Sequence, residues 1–223
     1  MANDQIPVTT PVGELHWVNI SGQGKQNYNE DGYNYVATVF LGGDKAEALK
    51  AKVDDVLGDV PKGKTVKSTG YRKLYKDAEG TLRAPNKDGK ILVDGVDIFG
   101  DCEETDMYAF QFTTRTTFAD GKTKKISVYN KDAKKVELGD RKVGNGSIGA
   151  ISGKMERFER GKEVGVSLYL NAIQLTKFTE YSGDAGFEAQ EGDFESVEDE
   201  ETGFTGETES EAAAPAKKAK PRL

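Results

Sequence analysis

Apolar and polar residues alternate along much of this chain with a period of about two, and the helical period of about 3.6 shows once. Residues 15–20 read as a strand, and Tyr33, Tyr35, Ala37, Val39 and Leu41 share one face of another. Tyr108, Phe110 and Phe112 share a face of a Thr-rich run that predicts a third, since successive side chains of an extended chain point to opposite sides. Asp120-Gly121 stands between that run and 122–130 and predicts a β-hairpin, because Asp-Gly readily takes the positive φ of a tight turn. A second hairpin is predicted from 147–158 to 164–178, turning at Arg160-Gly161-Lys162. The helix is predicted where Ala46, Leu49, Val53 and Leu57 fall on one face, with Asp44 and Glu47 as a capping box and Gly58 as the stop. Pro7 and Pro11 make 1–11 an extended lead-in. Many short strands, one helix and Gly-rich turns favour a mainly β domain over 12–181, a small barrel or sandwich, and argue against a parallel α/β sheet.

The alternation ends at Tyr181. The chain of 223 residues carries a formal charge of −7, yet 182–211 holds twelve Asp or Glu and no Lys or Arg. Lys217, Lys218, Lys220 and Arg222 follow, so 182–223 is −8 and the rest of the chain is +1. Low hydrophobicity with high like charge cannot offset the entropy of folding, which predicts a disordered acidic tail over 182–223 with a short basic end. A near-neutral body tethered to a polyanion makes that tail a candidate mimic of nucleic acid. No stretch reaches the roughly 18 apolar residues of a membrane span, and no signal-peptide pattern opens the chain. A cytoplasmic protein without a membrane partner is expected. Cys102 is the single cysteine, so neither an internal disulfide nor a Cys-based metal cage is available. His16 is also single and lacks a partnered base, which favours a structural role over catalysis. Neither catalysis nor a cofactor or metal is expected.

Two glycine motifs match by letter. Gly58, Gly63, Lys64 and Thr65 satisfy the P-loop pattern over 58–65, but the helix precedes the loop and a strand or turn follows it, the reverse of a phosphate-binding strand–loop–helix. Gly144, Gly146 and Gly149 satisfy a dinucleotide fingerprint without a buried strand before it or a helix after it, so a tight turn or bulge is expected. The acids Asp94, Asp97, Asp101, Glu103, Glu104 and Asp106 lack calcium-loop spacing and read as a solvated loop.

Three basic clusters remain. Lys62, Lys64, Lys67, Arg72, Lys73 and Lys76 stand together without an acid, with Tyr71 and Tyr75 among them. Lys122, Lys124 and Lys125 begin the second arm of the first hairpin, and Lys154, Arg157, Arg160 and Lys162 surround the turn of the second, beside Phe158. Cations that follow phosphates and flat rings that stack on bases are what single-stranded nucleic acid requires, each stacked base contributing about 1–3 kcal/mol. The expected backbone contacts are therefore Lys62, Lys64, Lys67, Arg72, Lys73, Lys76, Lys122, Lys124, Lys125, Lys154 and Arg157, and the expected stacking rings Tyr71, Tyr75 and Phe158. In the tail, Phe187, Phe194 and Phe204 each follow Gly or Asp, and they are expected to compete for base-stacking sites.

Val143-Gly144-Asn145-Gly146-Ser147, followed by Gly165-Val166-Ser167-Leu168-Tyr169-Leu170-Asn171-Ala172-Ile173-Gln174-Leu175, resembles the closing hairpin of bacteriophage single-stranded DNA-binding proteins of the OB-fold type. The resemblance implies an OB-fold-like five-stranded Greek-key barrel with one helix and extra hairpins. It further implies a protein that coats exposed single strands in phage replication, recombination or repair, in the host bacterial cytoplasm. Its acidic tail would screen the DNA groove and recruit replication or recombination enzymes. One departure stands out: the helix follows the second apparent strand, whereas the usual OB helix joins the third and fourth. Three other readings stay open at this level: a P-loop nucleotide-binding protein, a β-sandwich interaction protein, and RNA as the ligand. Oligomeric state is not legible.

Overall fold

In the computed structural model, which describes residues 5–26, 32–86 and 88–181, the alternating stretches become five long strands. They are β1 (Gly13–Asn19), β2 (Tyr33–Gly42), β3 (Glu103–Arg115), β4 (Ser147–Arg160) and β5 (Glu163–Lys177). Antiparallel pairs join β1 to β2, β2 to β3, β4 to β5 and β4 to β1, and Thr113 of β3 pairs in parallel with Tyr169 of β5. The ring therefore runs β1-β2-β3-β5-β4 and closes as a five-stranded OB barrel. Alternation puts Leu15, Val39, Phe110, Phe112, Ile151, Val166 and Ile173 into one buried core.

Helix α1 (Gly43–Leu57) leaves β2 directly and packs Ala46, Leu49 and Val53 into that core. It stands between the second and third barrel strands, as its place in the sequence indicates. The expected capping box does not form: the helix starts before Asp44, its N-cap is Gly42, and no side chain of its own caps it. Because β2 runs straight into the helix, Gly43 becomes its first residue, and Asp106 from β3 accepts the Gly43 N–H at 3.0 Å. Gly58 ends the helix as expected, with φ 56° and its N–H on Asp54 O at 2.9 Å.

The β4–β5 hairpin forms where predicted, Arg160 opposite Glu163 as its last pair. The first hairpin does not. Its turn exists, Gly121 having φ 81° and Phe118 N–H reaching Lys122 O at 2.8 Å, but beyond it only Thr117 pairs with Thr123. The chain then leaves β3, and Ser127–Tyr129 pairs in parallel with 172–174 of β5. Near its C-terminal end β3 has β2 on one edge and β5 on the other, so no edge is open to a returning arm. The excursion over 116–146 leaves from the C-terminal end of β3, whereas α1 leaves from the C-terminal end of its antiparallel neighbour β2. The lead-in is a strand, Ile6–Thr9, paired with 152–155 of β4.

A sheet extension, Tyr71–Lys76 with Leu82–Arg83, adds to the first half of β3, and Thr65–Ser68 runs parallel to the start of β5. Leu74 of this extension covers Phe40 and Ala109 on the outside of the barrel, making a second small core. Among the described residues no helix is long and apolar enough to cross a membrane.

The hairpin coils tightly around positions that lack a Cβ. A Cβ on Gly153 would lie 2.1 Å from Tyr169 O and 2.9 Å from the Phe112 ring, and one on Gly149 would lie 2.2 Å from Gln174 O. Both glycines flank register shifts in the β4–β5 ladder. Gly153→Ala is expected to cost about 1–3 kcal/mol in urea denaturation. Gly100→Ala, at a position with negative φ and open space, is the control and is expected to change the midpoint little.

Candidate nucleic-acid interface

The outer face of β2 and β3 is a groove. Thr38 and Phe40 come from β2, and Ala109, Gln111 and Thr113 from β3; the 66–72 segment and the 80–84 turn form its wall, enclosing about 1300 Å³. Phe40 points outward from the barrel yet is only 3% exposed, because Leu74, Leu82 and Ala84 shield it. His16 of β1 stacks face to face on Phe40, ring centroids 3.9 Å apart at 17°, and Trp17 meets the same ring edge-on at 5.5 Å. A fixed aromatic platform therefore floors one end of the groove.

Trp17 is held there by a distorted backbone. Its φ is 50°, unusual for a bulky residue, and the β1–β2 register shifts between His16 and Asn19. Its N–H donates to Asn145 Oδ1 at 2.9 Å, so the 144–146 turn pins the bulge. The ring is 50% exposed. Such strain is tolerated where surrounding contacts over-determine it, and it concentrates at binding sites.

The groove's cations are Lys67, Arg72 and Arg83, with Glu14 as an opposing acid. Lys67 pairs with Glu163 at 2.7 Å, and Arg83 pairs with Asp77, which accepts N–H groups from Glu79 and Thr81 as well. The Arg83 guanidinium is the largest influence holding the Asp77 carboxyl below the usual carboxylate range. Arg72 donates to Pro85 O at 3.5 Å. The His16 imidazole is pushed below its ordinary 6.5 mainly by burial, partly offset by Glu14, whose Oε1 lies 3.1 Å from Nε2.

Of the residues singled out from sequence, Lys67, Arg72, Tyr71 and Phe158 line the groove. Tyr71 is half-buried: its ring contacts Tyr108 and Phe110, and its hydroxyl donates to Asp54 of α1 at 2.7 Å. Burial first, then that hydrogen bond, raise its pKa to about 12. Tyr75 leans on Phe99, at 4.9 Å. Lys73 pairs with Glu104 at 3.0 Å and lies over the Tyr108 ring, while Lys62 and Lys76 are exposed. Lys64 pairs with Glu159, so the P-loop lysine meets a carboxylate, and its loop turns from a helix into a strand. Arg157 donates to Asp59 O at 3.0 Å and Lys154 to Gln5 Oε1 at 3.2 Å. Lys122 pairs with Asp120 at 3.0 Å, whereas Lys124 and Lys125 line a second cavity. Gly144–Gly149 is the turn that presents Asn145 and then starts β4. Phe187, Phe194 and Phe204 lie outside the described residues.

Sequence reading missed Trp17, Arg83 and Asn145. Strict alternation puts Trp17 on the same face as Leu15, in the core, and the bulge turns it outward. Its being the chain's one tryptophan was the available signal.

No protein-family model matches the sequence, and no curated protein matches it either. Among solved structures, gp2.5, a single-stranded DNA-binding protein encoded by bacteriophage T7, superposes at a TM-score of 0.51 with 14% identity, covering 82% of this chain and 92% of that one. The single-stranded DNA-binding protein from bacteriophage Enc34 aligns at 0.43 with 14% identity, over 81% of this chain and 85% of that one. Its complex with ssDNA aligns at 0.45 with 11% identity, over 78% and 88%. The OB-type barrel of this chain thus shares its fold with the phage T7 protein.

His16 is the sole histidine, so its imidazole NMR signals are unambiguous. They are expected to titrate below 6.5, since burial disfavours the cation. Between that depressed value and 6.5 the unfolded chain binds more protons than the folded one, so stability falls as pH drops through this window. An imidazole titrating at or above 6.5 would contradict the buried stack on Phe40.

Proposed function

We propose that the protein is a non-enzymatic binder of single-stranded DNA, largely indifferent to sequence, that holds the strand in the groove across β1, β2 and β3. The observation that carries this reading is the half-exposed Trp17, pinned by Asn145 in the same groove as three cations on the outer face of an OB barrel. That face is where OB barrels bind oligonucleotides. The T7 protein of the same fold, named for single-stranded DNA binding, supports the assignment. Trp17 and Phe158 stack on bases, while Lys67, Arg72 and Arg83 meet phosphates. The ion pair of Lys67 with Glu163 is no obstacle, because exposed pairs contribute about 0–1 kcal/mol and a phosphate can displace the carboxylate.

The tail completes the proposal. At −8 and tethered to the barrel, residues 182–223 act at an effective concentration on the order of millimolar, so they compete with DNA without high intrinsic affinity. In this reading the protein coats exposed strands in phage replication, recombination or repair, and the displaced tail becomes available to replication or recombination enzymes.

With one tryptophan in the chain, quenching of its fluorescence by oligo-dT reports contact at Trp17 directly. Quenching is expected, and Trp17→Ala is expected to weaken binding, measured by anisotropy, by about 1–3 kcal/mol, roughly 5- to 150-fold. Arg72→Gln is expected to flatten the dependence of log affinity on log salt by about 0.7. Oligo-dT that binds without quenching Trp17 would move the site elsewhere, and no binding at low salt would end the proposal. Ending the chain at Tyr181 is expected to tighten binding at low salt, with the gain over the full chain shrinking as salt rises. A gain that ignores salt would rule out electrostatic competition by the tail.

A further inference from the structure

The groove stops at Trp17, and a second cavity begins at the next residue. This cavity, about 910 Å³, sits between the β1–β2 connection and the 116–146 excursion. Three neighbouring positions join the two spaces. Trp17 lines the groove and Val18 the cavity, Asn145 lines the groove and Val143 the cavity. On β3, Thr113 lines the groove, while Lys124, whose Nζ lies 3.2 Å from Thr114 Oγ1, lines the cavity.

The charge is distributed unevenly between them. The groove has three Lys or Arg against Glu14, and two of those cations already pair with Glu163 and Asp77. The cavity is lined by Lys124, Lys125, Lys135, Arg141 and Lys142, against Glu137 as its one carboxylate among the described residues. Arg141 is set in place: its Nε donates to Leu138 O at 3.2 Å, and its guanidinium lies 5.4 Å from the Phe178 ring centre. Beneath these cations the surface is apolar, formed by Val18, Ile20, Val136 and Leu138, which pack partly buried on the barrel core. A cationic rim over an apolar floor suits a nucleotide, with the phosphate at the rim and the base below.

We propose that a single strand leaving the groove at Trp17 turns over the barrel rim and continues into this cavity, a second subsite for the same ligand. The inference rests on the single-strand-binding function proposed above. It divides the labour between the two spaces: the groove stacks bases, and the cavity supplies most of the phosphate neutralisation and hence most of the salt sensitivity. Trp17, at the junction, is the pivot about which the strand changes direction.

The test is an oligo-dT ladder from about 4 to about 16 nucleotides, the range of OB-fold site sizes, titrated into the full-length protein. Trp17 quenching reports the groove and anisotropy reports affinity. Lys135 and Lys142 are both exposed and neither lines the groove, so K135Q/K142Q is the informative variant. The variant is expected to bind the shortest quenching oligonucleotide like the parent, and to lose the further gain in affinity with length. For the longest oligonucleotide its salt slope flattens by about 1.4, two phosphate contacts' worth, and K135R/K142R restores the parent behaviour. Parent-like binding of K135Q/K142Q at every length, with Trp17 still quenched, would remove the cavity from the DNA path and leave the groove reading intact. Equal weakening at all lengths would show a long-range field effect and also overturn the second subsite. If no oligonucleotide quenches or binds the parent, the groove reading falls and this inference with it.

Discussion

The structure depends on how sharply the β4–β5 hairpin can coil. A five-stranded ring closes only if its longest hairpin bends far enough for β5 to reach β3, and it does so where Thr113 pairs in parallel with Tyr169. Gly149 and Gly153 allow the bend because backbone carbonyls of the facing strand occupy the space a side chain would need. Gly153 also gives room to Phe112, the core ring one residue before the closing pair. Close backbone approach, core packing and ring closure are therefore one constraint met at one position.

Closure then dictates where the remaining chain goes. With β2 and β5 on its two edges, β3 cannot accept the arm that follows Asp120-Gly121, and that arm crosses to β5. The excursion carries Lys124, Lys125, Lys135, Arg141 and Lys142 to the rim of the barrel. Only the first half of β3 pairs with Tyr71–Lys76, and this extension brings Leu74 over Phe40. Burial of Phe40 on the outside of the barrel gives His16 and Trp17 a fixed surface to pack on. The courses of the excursion and of the extension over Phe40 thus follow from which strand edges closure left open.

Much of this was legible because it is periodic or local. The alternation of Tyr35, Val39, Phe110 and Phe112, the apolar stripe of α1 and the Gly161 turn each report on neighbours a few residues away. Clustering of cations in sequence says less about which of them share a groove in space. Lys64, Lys67 and Lys73 are close in the chain, yet each meets a carboxylate from a different place, Glu159, Glu163 and Glu104. Arg83 joins the groove only because Leu82–Arg83 folds back on Tyr75 and Lys76. Trp17 was hidden for a sharper reason. A one-residue irregularity inverts the face that alternation assigns, and what fixes it is Asn145, far away in sequence.

The near-neutral charge of residues 1–181, +1 in all, bears on how such a barrel can hold a polyanion. With so little net attraction over the whole surface, affinity has to come from cations placed where phosphates pass and from rings whose contribution does not depend on charge. The pinned Trp17 would meet the second requirement, because its ordering cost is met by the fold before any ligand arrives. Under the proposed function, a tethered segment of −8 would rival DNA at the cations but offer fewer rings, so stacking would decide displacement while salt set its threshold. A body carrying a large positive charge would bind its own tail and DNA alike, with little to distinguish them; on the proposed function, a near-neutral one would leave the choice to bases.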